Sequence, residues 1–323
     1  MHKALVPPSP AENSAVCLAS RQSRLGRCGA RCLLGLMGLL WLSGCSPASL
    51  LNSVASRSGL DVTSSIAYAD GARRTLDVYR PAASTRAPVI VFFYGGSWQG
   101  GSKDTYAFAA TALARLGYVV VVPDYRVYPQ VRFPGFVEDG ALAVKWARAN
   151  AARFGGDPNQ LFVMGHSAGA HIAAMLAIDP RWLARVGMSA RRDIAGLIGV
   201  SGPYAFLPIR DETLKIIFGG ANKAETQPIS YVSGGEPPAL LLTGETDNTV
   251  DPGNATRLAT RLRAAGSKVT VVTYPGVGHI TIIGALARQL RSLAPVLRDI
   301  DAFIDRTVSA RRGQAAGPAK RTN

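Results

Sequence analysis

Cysteine is absent from most of this sequence. The four cysteines of the 323-residue chain all lie within its first 45 residues. They are Cys17, Cys28, Cys32 and Cys45. The rest of the chain can therefore form neither a disulfide bond nor a cysteine-based metal site. Because 47% of the residues are hydrophobic, we expect a large hydrophobic core to supply its stability.

Acidic residues are also few, since 21 Asp and Glu stand against 36 Lys and Arg and give a formal net charge of +15. A charge of this size is typical of nucleic-acid-binding proteins. The basic excess is concentrated in residues 1–44 and in the tail from Arg306, and no stripe of Lys and Arg with interleaved aromatic residues lies between them. We therefore predict no nucleic-acid partner. The sequence also lacks a phosphate-binding glycine loop and zinc-ligand spacing, so we predict no cofactor and no metal.

The N-terminal apolar run from Leu33 to Leu42 is too short to cross a bilayer as a helix. It follows several arginines, as the hydrophobic region of a signal peptide does. The run ends in Leu42-Ser43-Gly44-Cys45, which resembles the bacterial lipobox, where the cysteine thiol receives a diacylglyceryl group. This resemblance predicts a cleaved signal peptide over residues 1–44, a lipidated Cys45, a tether over 45–60 and an exported, membrane-anchored lipoprotein. An ordinary secretory signal with an incidental cysteine is the alternative.

Short, nearly continuous apolar runs alternate with helical stretches over residues 61–305, as expected for strands that are buried on both faces. A hairpin signal at Asp70-Gly71 adds two opening antiparallel strands. We therefore predict a mainly parallel, eight-stranded sheet covered by helices on both faces. The segment 203–237 breaks the alternation and is predicted to be a small lid. The predicted helices include one from Thr281 to Arg306, and the basic tail 306–323 is predicted to be disordered.

A nucleophile motif follows one of these strands. The glycines of Gly165-His-Ser167-Ala-Gly169 stand where a side chain would collide with the neighbouring backbone in a strained strand-to-helix turn. Such a turn lifts the serine hydroxyl above the edge of the sheet. The motif predicts an α/β-hydrolase fold with Ser167 as the nucleophile.

A serine nucleophile needs a base, and the chain offers four histidines. His2 lies in the signal peptide, His166 is inside the turn beside Ser167, and His171 is four residues into the following helix. His279 lies in a glycine-rich loop directly after the last predicted strand, where the order Ser, Asp or Glu, His places the base. We predict that His279 is the general base.

The acid must lie between the serine and the histidine, after the C-terminal end of a strand. Asp247 meets this requirement, since it follows Leu240-Leu-Leu-Thr-Gly-Glu-Thr. Its role would be to hold the histidine tautomer and to stabilise the imidazolium. Asp251 is the main competitor and Glu245 is a weaker one.

An ordered series of motifs resembles the bacterial carboxylesterases and arylformamidases related to hormone-sensitive lipase. It includes Tyr94-Gly-Gly-Ser-Trp98, Asp124-Tyr-Arg126, Phe154-Gly-Gly-Asp157, the serine motif and Thr243-Gly-Glu-Thr-Asp247. The resemblance covers roughly residues 60–305. It implies that the backbone N–H groups of Gly96, Ser97 and Ala168 form the oxyanion hole.

Two residues depart from the pattern of that family. Tyr94 stands where the family usually has His, and Ser97 stands where it often has Gly. We expect the tyrosine hydroxyl to replace the histidine as a support of the loop, and Ser97 to keep its backbone N–H. Asp124 and Asp139 are expected to be structural.

These observations predict a serine carboxylesterase that acts on small to medium esters, so the expected partners are a small-molecule ester and, through the lipid at Cys45, a membrane. The first alternative is an arylformamidase-type amide hydrolase acting on N-formylkynurenine. The second is a non-catalytic, lipid-anchored surface protein that keeps the fold.

Overall fold

The computed structural model describes Asn52 and residues 58–316 of the chain. The predicted signal peptide, Cys45 and residues 317–323 lie outside the described residues. In the described part, no helix combines the length and the apolar character that crossing a membrane requires.

Eight strands form a single sheet. They are β1 (Leu60–Ala67), β2 (Thr75–Pro81), β3 (Ala87–Phe93), β4 (Val119–Pro123), β5 (Gly156–His166), β6 (Gly196–Val200), β7 (Ala239–Gly244) and β8 (Val269–Tyr274). Their order is β1-β2-β4-β3-β5-β6-β7-β8. The pairs β1–β2 and β2–β4 are antiparallel, and every other pair is parallel. The predicted α/β fold with a mainly parallel, eight-stranded sheet is confirmed.

Nine α-helices accompany the sheet in the described part of the chain. They are α1 (Ala107–Ala114), α2 (Gly135–Asn150), α3 (Ala168–Ile178), α4 (Pro180–Ala184), α5 (Ala190–Asp193), α6 (Glu212–Phe218), α7 (Gly253–Ala264), α8 (His279–Gly284) and α9 (Val296–Ala316). All residues of α1 and α3 are buried. These two helices contain no charged side chain, which allows them to be enclosed by the rest of the molecule.

The central strands are apolar on both faces, as parallel strands covered by helices must be. All residues of β4 and β6 are buried, and β3 is buried at every position except Pro88. The parallel strands β3, β5, β7 and β8 end at the same edge of the sheet, so the loops that follow them converge there.

The C-terminal part of the chain differs from the sequence prediction. The single helix predicted from Thr281 to Arg306 is wrong, because α8 ends at Gly284 and α9 begins only at Val296, directly after Pro295. Proline is tolerated at a helix start but not in its interior. The prediction of disorder from Arg306 is also wrong as far as Ala316, because α9 continues to that residue. Its buried apolar residues keep helical spacing as far as Val308, which lies beyond the predicted end at Arg306. They include Ile300, Phe303, Ile304 and Val308.

Asn52 falls in the segment predicted to be a tether, yet its side chain binds the start of α1. The amide donates a hydrogen bond of 2.7 Å to the carbonyl of Asp104, and its oxygen accepts one of 2.8 Å from the N–H of Phe108. This position of the tether is therefore held against the folded body.

Candidate active site

The turn after β5 holds Ser167 in a strained conformation, with φ of 55° and ψ of −124°. Non-glycine residues rarely adopt a positive φ, and they keep it only where the surroundings enforce it. A Cβ atom at Gly165 would lie 2.2 Å from the carbonyl oxygen of Gly169, and one at Gly169 would lie 2.1 Å from that of Phe93. The two glycines thus allow β3, β5 and α3 to approach closely enough to enforce the turn.

His279 begins α8, after the loop that follows β8. Its Nδ1 lies 2.8 Å from Oδ2 of Asp247, which follows the end of β7, and both side chains are buried. The other oxygen of Asp247 accepts hydrogen bonds from the N–H groups of Thr249 (3.0 Å) and Val250 (2.9 Å). The neighbouring ends of two parallel strands thus bring together residues that are 32 positions apart in the chain.

The electrostatics of Asp247 favour its ionised form. Burial raises the pKa of its carboxyl, but the hydrogen bond from Val250 and the contact with His279 outweigh burial, so the pKa lies below its ordinary value. An ionised carboxylate can only accept hydrogen bonds, so Nδ1 of His279 carries the proton of this contact. The other ring nitrogen, Nε2, is then free to act as a base.

The two other acids considered from the sequence do not contact the histidine. The carboxylate of Asp251 is largely exposed, forms an ion pair of 2.9 Å with Arg257 and accepts the N–H of Gly253. Glu245 accepts the N–H of Gly276 at 3.2 Å.

The loop after β3 passes directly beside the serine. A Cβ atom at Gly95 would lie 2.9 Å from Cβ of Ser167. Gly96, Ser97 and Trp98 all have positive φ, and the carbonyl of Gly96 turns inward to accept two N–H groups, those of Gln99 and Gly100. Across residues 58–316, the N–H groups of Gly96 and Ser97 meet no protein acceptor. The N–H of Ala168 belongs to the first turn of α3, where no intrahelical acceptor exists.

Tyr94, which replaces the histidine of the related family, is completely buried and supports this loop. Its hydroxyl donates to Oδ1 of Asp124 (2.9 Å) and accepts from Nη2 of Arg73 (2.9 Å). Its ring stacks on that of Tyr125 with centroids 4.6 Å apart, and the Tyr125 hydroxyl donates to the Tyr94 carbonyl. Asp124 also accepts the backbone N–H of Lys103 at 2.8 Å. The tyrosine therefore fixes the start of the loop to two neighbouring segments.

Sequence reasoning missed Arg73. Its guanidinium donates to the Tyr94 hydroxyl, to the carbonyl of Gly101 (2.8 Å) and to that of Tyr125 (3.0 Å). It thus joins the two ends of the glycine-rich loop to the segment after β4. An arginine in a hairpin loop carries no sequence signal for this role, because its partners are contributed by distant segments.

His166, dismissed as a base, lies between the serine turn and the histidine loop. Its Nε2 is 3.1 Å from the carbonyl oxygen of His279, and its Nδ1 is 3.0 Å from the hydroxyl of Tyr106. Because a carbonyl can only accept, Nε2 carries the proton and Nδ1 accepts from Tyr106. Burial, together with the proximity of His279, lowers the pKa of His166 to about 3. His166 is therefore neutral at physiological pH.

His171 and Asp139, which were also considered from the sequence, make contacts that indicate structural roles. His171 is enclosed by aromatic rings, and its Nε2 is 2.8 Å from the carbonyl of Thr226. The buried Asp139 binds the guanidinium groups of Arg126 (2.8 Å) and Arg74 (2.9 Å). Within the described residues, no three His, Cys, Asp or Glu side chains gather as a metal site would require.

A cleft of about 880 Å³ opens above Ser167. Ser97 and Trp98 of the glycine-rich loop line it together with the serine, and most of the opposite wall comes from residues 203–230. Apolar side chains form much of this wall. They include Phe206, Leu207, Leu214 and Ile229. The size and lining suit a small organic molecule.

One protein family and several curated esterases are similar to this chain. The chain matches the BD-FAE family over residues 76–262. Esterase LipC of Mycobacterium tuberculosis is 31% identical over 235 residues, which are 66% of this chain and 58% of LipC. The isoprenylcysteine alpha-carbonyl methylesterase ICME of Arabidopsis thaliana is 30% identical over 240 residues, covering 68% of this chain and 56% of that protein. The chain thus spans a little over half the length of these curated relatives.

Among solved structures, Thermogutta terrifontis esterase 2 phosphonylated by sarin is similar with a TM-score of 0.65 and 26% identity. The match covers 77% of this chain and 95% of that one. The family match includes the serine turn, the loop after β3 and Asp247, and it extends over more than half of the 323 residues. The chain therefore belongs to the BD-FAE family and has the α/β-hydrolase fold.

Proposed function

We propose that the protein is a serine carboxylesterase that cleaves small to medium esters with Ser167 as nucleophile, His279 as general base and Asp247 as the acid that orients the base. The observation that carries this proposal is the 2.8 Å contact between His279 and Asp247 at the same edge of the sheet as the strained serine. The names of the similar proteins, which include esterases, support the ester as substrate.

In the acylation step, Nε2 of His279 takes the proton of the Ser167 hydroxyl as its oxygen attacks the ester carbonyl. Asp247 stabilises the imidazolium that forms and keeps the proton on Nδ1. The negative oxygen of the tetrahedral intermediate binds the N–H groups of Gly96, Ser97 and Ala168, for which the described residues provide no acceptor. The alcohol then leaves with the proton from His279.

In the deacylation step, His279 takes a proton from water, which attacks the acyl-enzyme and releases the carboxylic acid. The same three N–H groups bind the second oxyanion. One donor of this kind contributes about 100- to 1,000-fold to turnover. The support of the loop by Tyr94 and Arg73 therefore matters for rate although neither side chain reacts.

The cleft volume of about 880 Å³ accommodates acyl chains of small to medium length, and its apolar wall favours them. From the sequence we also propose that Cys45 carries a lipid and holds the enzyme on a membrane. Cys45 lies outside the described residues.

Labelling with a fluorophosphonate probe tests the nucleophile. The wild-type protein should be labelled and should hydrolyse p-nitrophenyl butyrate. Ser167→Ala should lose labelling and lower kcat on the order of 10⁶-fold, with an unchanged melting temperature. Ser64→Ala, at an exposed serine of β1, is the control and should behave as the wild type.

Labelling of Ser167→Ala would contradict the assignment of the nucleophile. A folded wild-type protein that takes up no probe would instead support the non-catalytic alternative. Comparing kcat/KM on p-nitrophenyl butyrate and N-formylkynurenine separates ester from formamide chemistry, and a preference for the formamide would overturn the proposed substrate class.

A further inference from the structure

Three charged side chains line the cleft above Ser167. They are Arg210, Asp251 and Arg257. Each of them lies on the wall or rim contributed by residues 203–257, on the substrate side of the sheet. The balance of these charges decides which ligands the cleft attracts, because a low-dielectric cleft focuses the field of an unpaired charge.

Two of the three charges neutralise each other. Nη2 of Arg257 lies 2.9 Å from Oδ2 of Asp251 and also donates to the carbonyl of Ala205 at 3.0 Å. The carboxylate of Asp251 accepts the N–H of Gly253, and this bond, with the Arg257 contact, lowers its pKa below the ordinary value. The pair therefore stays ionised at neutral pH and adds no net charge to the cleft.

Arg210 is left without a counter-ion. Among the described residues, no carboxylate lies within ion-pair distance of its guanidinium, which is exposed at the cleft. Some exposed arginines elsewhere in the described structure do pair with a carboxylate, as Arg185 does with Glu138 at 2.8 Å. The cleft thus carries one net positive charge, and that charge lies on Arg210.

The backbone on both sides of Arg210 is fixed. Ile209 is buried, and its N–H donates to the carbonyl of Ala221 at 2.8 Å. Asp211 caps α6, where its side chain accepts the N–H of Leu214 at 2.8 Å. The guanidinium is therefore presented to the cleft from an anchored position, and the apolar wall of Phe206 and Leu214 lies beside it.

We propose that Arg210 binds a carboxylate of the substrate, so that the enzyme acts on esters that also bear a free carboxylate group. A guanidinium recognises a carboxylate through two parallel N–H donors. The apolar wall accommodates the carbon chain that separates the carboxylate from the ester at Ser167. This inference rests on the proposed ester hydrolysis and adds the charge of its substrate.

Matched pairs of esters test the proposal. Monomethyl adipate and methyl hexanoate have acyl chains of equal length, but only the first bears a carboxylate on its acyl part. The pair 4-acetoxybenzoate and 4-methylphenyl acetate places the charge on the alcohol part instead. Hydrolysis is followed by pH-stat titration with the full-length protein, and the readout is the ratio of kcat/KM for the anionic member to that for the neutral member.

We expect the wild-type ratio to exceed one for at least one pair. Arg210→Gln should lower that ratio about tenfold through KM, the equivalent of one charge-assisted hydrogen bond. Arg210→Lys keeps the positive charge but loses the two parallel N–H donors of the guanidinium. It should therefore retain part of the preference for the anionic ester. The preference should weaken in 0.5 M NaCl because salt screens an exposed charge. Arg288→Gln removes an exposed arginine that does not line the cleft and should keep the wild-type ratio.

A wild-type ratio below one for both pairs would overturn the proposal, as would an Arg210→Gln ratio equal to that of the wild type. In either case, continued hydrolysis of the neutral esters would leave the proposed esterase activity intact. If the wild-type protein hydrolyses neither the anionic nor the neutral ester of either pair, the proposed function itself fails.

Discussion

Asp247 and Asp251 stand four residues apart on the same loop, and their surroundings assign them different tasks. Asp247 is buried and contacts His279, whereas Asp251 is exposed and pairs with Arg257. The sequence favoured Asp247 as the acid and left Asp251 as its main competitor. The difference arises because the side chain of Asp247 reaches His279 in the loop after β8, whereas Asp251 already lies beside the start of α7.

This difference predicts two distinct mutant effects. Asp247→Asn should lower kcat on the order of 10⁴-fold near neutral pH, because an amide favours the wrong tautomer of His279. Asp251→Asn should lose about 1 kcal/mol of stability at most, since its contacts lie on an exposed helix start, and should leave turnover of neutral esters close to that of the wild type. Turnover and melting temperature are measured on both variants. A collapse of turnover in Asp251→Asn with an unchanged melting curve would assign the acid to Asp251.

At the scale of secondary-structure elements, the site is held together where strand ends meet. His166 at the end of β5 joins two segments, because its ring accepts from Tyr106 and donates to the carbonyl of His279. A Cβ atom at Gly95 would lie 3.0 Å from the Tyr106 hydroxyl, so the loop after β3 packs on the same group. Burial raises the pKa of Tyr106 to about 12, which keeps its proton available for donation. The loop, the serine turn and the histidine loop therefore share one small polar network.

Tyr106→Phe tests this network. Removal of the hydroxyl leaves the buried Nδ1 of His166 unsatisfied, which should cost about 1–3 kcal/mol of stability. Because His279 and the loop after β3 lose a shared support, we also expect kcat to fall about tenfold at a temperature well below the melting point, with little change in KM.

Tyr118→Phe is the matched control for this experiment. It removes a different tyrosine hydroxyl, whose partner is the carboxylate of Asp301 and which lies outside the cleft. It should lower the melting temperature without lowering kcat. Equal effects of the two variants on kcat would show that the Tyr106 hydroxyl has only a structural role. ¹⁵N NMR of His166 provides a second measurement, since Nδ1 should lose its hydrogen-bond donor and shift in Tyr106→Phe, whereas Nε2 should keep its proton against the carbonyl of His279.

At the scale of the whole molecule, the proposed lipid at Cys45 would hold the folded body on a membrane. Two or three acyl chains bind firmly, because each buried CH₂ contributes about 0.8 kcal/mol. Cys45→Ala should therefore move the protein from the membrane fraction to the soluble fraction after a high-salt wash. Cys32→Ala, within the predicted signal peptide, should have no such effect.

Mass spectrometry of the mature wild-type protein complements the fractionation. The expected N-terminal peptide begins at Cys45 and carries a diacylglyceryl group. A Cys45→Ala protein that stays in the membrane fraction would contradict the lipobox interpretation and would indicate that residues 33–42 act as an uncleaved anchor.

Local signals in the sequence were sufficient for the fold class and for the placement of its strands. Runs such as Val119–Pro123 are apolar at every position, which only a strand buried on both faces requires. The glycines at 165 and 169 specified the serine turn, because the clash that a side chain would cause there is a local property of that turn. The position of His279 after the last strand likewise followed from chain order.

The tertiary structure decided what depends on distant partners. It brought Asp247 rather than Asp251 to His279 and tied Arg73 to Tyr94. Within the described part of the chain, it also left Arg210 without a counter-ion in the cleft. It also continued α9 past Arg306, where Thr307 and Val308 are buried although the sequence is polar and basic. Periodicity and motifs report the neighbours along the chain, whereas the pairing of charges and the lining of a cleft depend on which segments the sheet order places side by side.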